Sequence, residues 1–175
     1  MLISEPNMLD SNFKRSVILL TKHNENESIG FILNKPTKIF INELIDGFPS
    51  FNAPVYIGGP VQKETLHFIH SMDDLIDGSI QVRENLYWSG NFQTLLKLVA
   101  EKKIFSSQIR FFVGYSGWEG GQLEREIEEQ NWIVNPGNSE IALGQKNQKL
   151  WKNIISQMDT EYSIWANMPE NPSLN

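Results

Sequence analysis

Arg110-Phe111-Phe112-Val113-Gly114-Tyr115-Ser116-Gly117-Trp118-Glu119-Gly120-Gly121-Gln122-Leu123-Glu124, continuing to Trp132, is the stretch from which the rest of the chain can be placed. It reads as an apolar strand over Ile109 to Tyr115, a glycine-rich turn carrying one large aromatic residue, and an acidic amphipathic helix that buries Leu123 and Ile127. Gly117, Gly120 and Gly121 crowd around Trp118, so the backbone there needs positive φ or close approach to a neighbouring chain. Early acids at Glu124 and Glu126 suit a helix N-terminus, and Arg125 can reach Glu129 four residues on.

Working backwards, Phe92, Leu95, Leu96 and Val99 recur at helical spacing after Ser89-Gly90-Asn91, a capping sequence. Short apolar runs at 16–20, 29–33, 54–57, 66–70, 79–83 and 86–88 have strand length, and turn residues separate them. The first two form a hairpin, and Pro36 stops the second because proline cannot donate to a ladder. Ile41, Leu44, Ile45 and Phe48 predict two helical turns, ended by Gly47 and Pro49. Forwards, Trp132-Ile133-Val134 is one more strand, Ile141-Ala142-Leu143 fits neither class, and 147–158 is a last helix. Many short strands with few helices argue for an antiparallel or mixed sheet rather than a regular βαβ series. The expected fold is α+β: one domain over 1–166 with a curved, partly barrel-like mixed sheet flanked by helices, followed by a frayed tail over 167–175.

Bulk properties narrow the function. With 175 residues, 40% of them hydrophobic, the chain can bury a substantial core. It contains no cysteine, which rules out disulfides, thiol catalysis and cysteine metal sites. The net charge of −6 is spread over both halves, and no Lys/Arg cluster resembles a phosphate-backbone footprint. No apolar run approaches membrane-spanning length and no basic leader opens the sequence, so a cytoplasmic protein without a membrane partner is expected.

The chemistry-bearing residues form no established catalytic pattern. Gly58-Gly59-Pro60 and Gly114 to Gly121 lack the Lys-Ser/Thr of a P-loop and the dinucleotide fingerprint, so turn and packing geometry outweighs an anion cradle. His67 and His70 lie on opposite faces of a strand and cannot chelate one metal together; His23 is at a strand end. Ser116 misses the nucleophile elbow by one position at the second glycine. No catalytic residue, metal ligand or cofactor is therefore assigned. Trp118 and Trp88, each beside Ser-Gly, stand out as groove or interface aromatics, with burial in the core as the ordinary alternative.

Taken together, Phe13 to Leu20 with His23, Gly30 to Pro36, Val55 to Val61, Leu66-His67, and Arg110 to Glu124 with Trp132 resemble the YqgE/AlgH family. These are small bacterial proteins described as uncharacterised or as regulators of transcription. The resemblance covers nearly the whole chain and implies a compact α+β structure with a barrel-like sheet. It also implies a link to transcription, although no helix-turn-helix is evident. Ser28 stands where alanine is common and Lys35 where arginine is common; lysine would hold a planar anion more loosely. The motif residues His23, Asn34, Lys35, Gly58, Gly59, Ser116, Trp118 and Gln122 are the candidate ligand or partner site. The leading expectation is a non-enzymatic regulatory protein with a protein partner. Next comes a ligand-binding or hydrolase-like pocket around His23, Asn34 and Ser116. Direct DNA binding, the third, would need Lys14, Arg15, Lys22, Lys35 and Lys38 on one face.

Overall fold

In the computed structural model, which describes residues 1–73, 75–144, 149–158 and 160–168, the organising strand is longer than its sequence suggests. In chain order the strands are β1 (Leu2–Ser4), β2 (Val17–His23), β3 (Glu27–Ile32), β4 (Pro36–Phe40), β5 (Pro54–Ile57), β6 (Val61–His70), β7 (Ile80–Arg83), β8 (Leu86–Trp88), β9 (Ile109–Glu119) and β10 (Trp132–Val134). The helices are α1 (Ile41–Leu44), α2 (Phe92–Ala100), α3 (Gln122–Glu128), α4 (Ser139–Leu143), α5 (Leu150–Ser156) and α6 (Thr160–Ser163). The sheet runs β10-β1-β2-β3-β9-β6-β8-β7, with β5 parallel to β9 and β4 antiparallel on β5. It is the expected α+β arrangement, a curled half-barrel of mostly antiparallel strands with helices packed against it.

β9 corrects the strand-turn-helix reading. The glycine-rich segment does not end the strand: pairing continues to Glu119, and the turn falls at Gly120-Gly121. Gly114, at φ +67, kinks the strand without breaking it. One edge of β9 pairs with β6 from Ile109 to Tyr115. The other edge takes β5 at Phe111–Val113 and then changes partner to β3 at Ser116–Glu119.

Gly58 sits where those two partners diverge. Its N–H donates to the Val113 carbonyl at 2.9 Å, and its own carbonyl accepts from Ile32 N–H at 2.9 Å and from Ser116 Oγ at 3.0 Å. The two glycine motifs of the sequence are thus one structural feature. Gly58 and Gly59 lie against Gly114 and Tyr115, so closely that a Cβ on Gly58 would be 2.2 Å from the Gly114 carbonyl oxygen.

Both faces of the sheet are covered, which is why the strands read as continuous apolar runs rather than alternating ones. Phe111 and Ile109 face a core shared with Ile41, Leu95 and Val99, whereas Phe112 faces one shared with Phe31, Trp151 and Ile155. Ile18, Ile32, Trp118, Leu123 and Trp132 make a third, smaller core under α3. Asn91 caps α2, accepting from Gln93 and Thr94 N–H.

Several local expectations shift. The predicted helix at 41–48 shrinks to α1, and Pro36, expected only to stop a strand, also opens the edge strand β4. Residues 141–143 are helical. The last helix is described from Leu150, its expected start at 147–148 lying outside the described residues, as does the tail from 169. No helix among the described residues is long and apolar enough to cross a membrane.

Arg110 is the largest fully buried side chain. Its guanidinium lies over the Tyr56 ring, 4.6 Å from the centroid, and donates to the Leu33 carbonyl at 3.0 Å and to the Gly144 carbonyl that follows α4. Burial pushes its pKa down to about 10.

Candidate functional site

Apart from His23, the sequence-selected residues fall into three structural roles. Ser116 and Gly58 meet at the strand junction: Ser116 is fully buried and its hydroxyl is held by the Gly58 carbonyl, which leaves no geometry for a nucleophile. Asn34 accepts from Val17 N–H through Oδ1 at 2.9 Å and donates from Nδ2 to the Arg15 carbonyl at 2.8 Å. Lys35 donates to the Asn12 carbonyl at 2.6 Å, its pKa lowered by burial against an opposing pull from Asp10. Asn34 and Lys35 together pin the loop between β1 and β2.

That loop carries Phe13 onto the third group. Phe13 stacks on Trp118 with ring centroids 6.1 Å apart and meets Trp132 edge-on at 5.6 Å. Both indoles donate to one oxygen of Glu126, from Trp118 Nε1 at 2.9 Å and from Trp132 Nε1 at 2.8 Å. Gln122 Nε2 donates to the other oxygen at 2.8 Å, while its Oε1 accepts from Glu119 N–H. One carboxylate on α3 therefore fixes two tryptophans from different strands and the first residue of its own helix. Trp118 is only 4% exposed, so it forms a wall rather than a displayed ring.

Two hollows of about 490 Å³ each flank this assembly. The first lies between the β1–β2 loop and α3; the second lies toward the β2–β3 hairpin. They share Gly117, Trp118 and Gln122, so the wall between them is the stretch on which the sequence reading centred.

His23 stands apart. Its Nδ1 is 2.8 Å from Ser28 Oγ and its Nε2 is 3.7 Å from Glu124, at the tip of the hairpin. Asn34 binds Val17, six residues back along β2, which is about 20 Å at the rise of a strand. His23, Asn34 and Ser116 thus do not converge on one pocket. The other histidines are used locally. His67 contacts Thr65 Oγ1, and His70 bonds the Ser89 carbonyl through Nε2 and accepts from Met72 N–H at Nδ1; burial lowers both pKa values. Among the described residues no cluster of His, Asp or Glu is arranged to hold a metal ion. Of the basic residues, Arg15 lies over Trp151 and Lys22 is ion-paired to Glu27.

Glu126, Phe13 and Trp132 were not among the sequence-selected site residues. The available signal was Trp118 and Trp132 bracketing an amphipathic helix with an acid on its inward face. Replacing Glu126 with alanine leaves two largely buried indole N–H groups without acceptors and should cost about 2–4 kcal/mol. Glutamine, which retains an acceptor oxygen, should recover about half of that. Urea denaturation of the two variants separates these outcomes; equal stability of alanine and glutamine variants would contradict the bonding described.

The geometry defines a class: a half-barrel α+β protein with an aromatic-walled hollow against its central strand. The chain belongs to the AlgH-like family (DUF179), whose model matches residues 1–163. A UPF0301 protein of Chlorobium limicola is 43% identical over 175 residues, spanning 100% of this chain and 94% of that protein. One of Cytophaga hutchinsonii is 38% identical, spanning 99% and 96%. The solution structure of the AlgH protein from Pseudomonas aeruginosa superposes with a TM-score of 0.74 at 25% identity, covering 96% of this chain and 92% of that one. The crystal structure of protein DIP2367 from Corynebacterium diphtheriae shares the fold, with a TM-score of 0.79 at 22% identity over 95% and 90% of the two chains.

Proposed function

We propose that this protein is a non-enzymatic regulatory protein that acts by binding a partner protein in the cytoplasm, with the hollows beside Trp118 as the contact surface. One observation carries this reading: Ser116 and Asn34 are committed to the fold, whereas Trp118 and Gln122 border open space on two sides. Trp118, Trp132 and Phe13 give that surface rigid aromatic walls, the kind of feature that anchors protein contacts. Leu9, fully exposed at the rim of the first hollow, adds an apolar lip. An effect on transcription would then pass through the partner rather than through DNA.

A photo-crosslinking amino acid placed at Leu9 tests this without disturbing the core, and one at Phe105, 70% exposed and outside both hollows, is the control. A specific protein adduct in cells from position 9 and not from position 105 is expected. Identical adduct patterns from the two positions, or none, would overturn the proposal.

A further inference from the structure

The hollow beneath Leu9 has a one-sided charge. Glu5, Asp10, Glu126 and Glu129 line it, and Glu27 and Glu119 line its neighbour across Trp118. Among the described residues no lysine, arginine or histidine lines either one. Lys22 is ion-paired to Glu27 and Lys35 faces Asp10, yet neither lysine lines a hollow, which leaves Glu5, Glu119 and Glu129 as the acids open to a cation. The carboxylates are spread along the walls and, among the described residues, do not converge as a metal site would require. Spaced acids over an aromatic floor suit an extended chain of cations with carbon stems, which can lie along apolar surface while the charged heads reach the rim. Each hollow is within the usual size range for a bound group.

We propose that this groove docks a basic segment of a partner protein, with arginine or lysine side chains entering beside Trp118 and apolar neighbours resting on Met8 and Leu9. The proposal rests on the protein-binding reading above and specifies the chemistry of the partner. Glu126 is already held by both indoles and Gln122, so it contributes a fixed negative floor. Glu5 and Glu129 are the more adaptable partners: the side-chain bond at Glu129 is an exposed one from Asn131, and Glu5 is tied to Asn131 through its backbone.

The test uses a fluorescent peptide of alternating arginine and leucine, an equal-length glutamate–leucine peptide, and spermidine. Binding is read by anisotropy and by the indole N–H resonances of Trp118 and Trp132, which report on the Glu126 contact. The basic peptide should shift both resonances, bind at least tenfold tighter than the acidic one, and weaken several-fold on raising salt from about 50 to about 300 mM. The double variant Glu5→Lys/Glu129→Lys should weaken it tenfold or more at an unchanged thermal midpoint; lysine at the end of α3 is favourable for the helix dipole. Equal binding of the two peptides, shifts confined to other residues, an undiminished affinity of the double variant, or full reproduction of the effect by spermidine would each overturn the proposal. If the peptide fails while the crosslinker at position 9 still captures a specific protein, the charge assignment falls and the protein-binding reading stands; if both fail, neither stands.

Discussion

Gly59→Ala is expected to lower the thermal midpoint by about 10 °C or more. A Cβ at Gly59 would sit 2.2 Å from both the carbonyl carbon and oxygen of Tyr115 and 2.4 Å from Ser116 N. All three are backbone atoms of β9, at the point where that strand passes from β5 to β3. No rotamer change relieves the contact, so the corner after β5 must separate from β9 and break the bonds converging on Gly58. Overpacking in a well-filled site costs about 1–3 kcal/mol, and a backbone clash belongs at or above the top of that range. Gly47→Ala is the matched control. Gly47 has nothing within 4 Å of its added Cβ and carries only the cost of φ +77, about 1–2 kcal/mol. Thermal melts of both variants by circular dichroism decide the matter; a Gly59 variant no less stable than the Gly47 variant would refute the close approach.

At Arg110 the expected order of stability is wild type, then Arg110→Met, then Arg110→Lys, with the lysine variant about 3 kcal/mol below wild type. Intuition would place lysine nearer to arginine. Among the described residues no carboxylate bonds the guanidinium and Nε has no partner; two backbone carbonyls and the Tyr56 face hold it. Burial works against the positive charge even with those contacts in place, pushing the pKa down to about 10. Lysine keeps the charge but loses the planar fork that spans Leu33 and Gly144, and it stacks less well on Tyr56. Methionine gives up the hydrogen bonds yet removes the buried charge and fills similar space. Urea titrations at neutral pH rank the three proteins, and a lysine variant more stable than the methionine variant would show that charge rather than geometry secures the site.

These two positions also show where sequence reading reaches its limit. Val17 to Leu20 and Ile29 to Leu33 were legible as a hairpin because their apolar runs are local. β1 was not, since three residues between β2 and β10 carry too little pattern to stand out. Pro36 signalled an interruption, and only its edge position explains why a strand starts there instead. At Gly114 to Trp118 the glycines were visible but their purpose was not: a turn and a kinked strand pressed against a second glycine corner have the same composition. The meeting of Gly58-Gly59 with Gly114 is a tertiary fact, as is the capture of Trp118 and Trp132 by Glu126. Asn34 and Lys35 drew notice through the Gly30–Pro36 motif, and they act on the site at one remove, by fixing the loop that carries Phe13.

The position of β9 also sets the timing of folding. All three of its partners, β3, β5 and β6, precede it in the chain, and the pairing of Glu27 with Glu119 closes a loop of roughly ninety residues. A nascent chain on the ribosome therefore exposes three strands with unfilled edges until residues 109–119 emerge. The β2–β3, β4–β5 and β7–β8 hairpins, the β1–β2 and β6–β8 pairings and α2 can form before then. Such non-local topologies fold slowly, over milliseconds to seconds, and their intermediates present adhesive edges. Slowed translation before residues 109–119 have emerged would thus lengthen the interval in which this protein depends on chaperones, whereas a pause after they have emerged would be harmless to the central sheet.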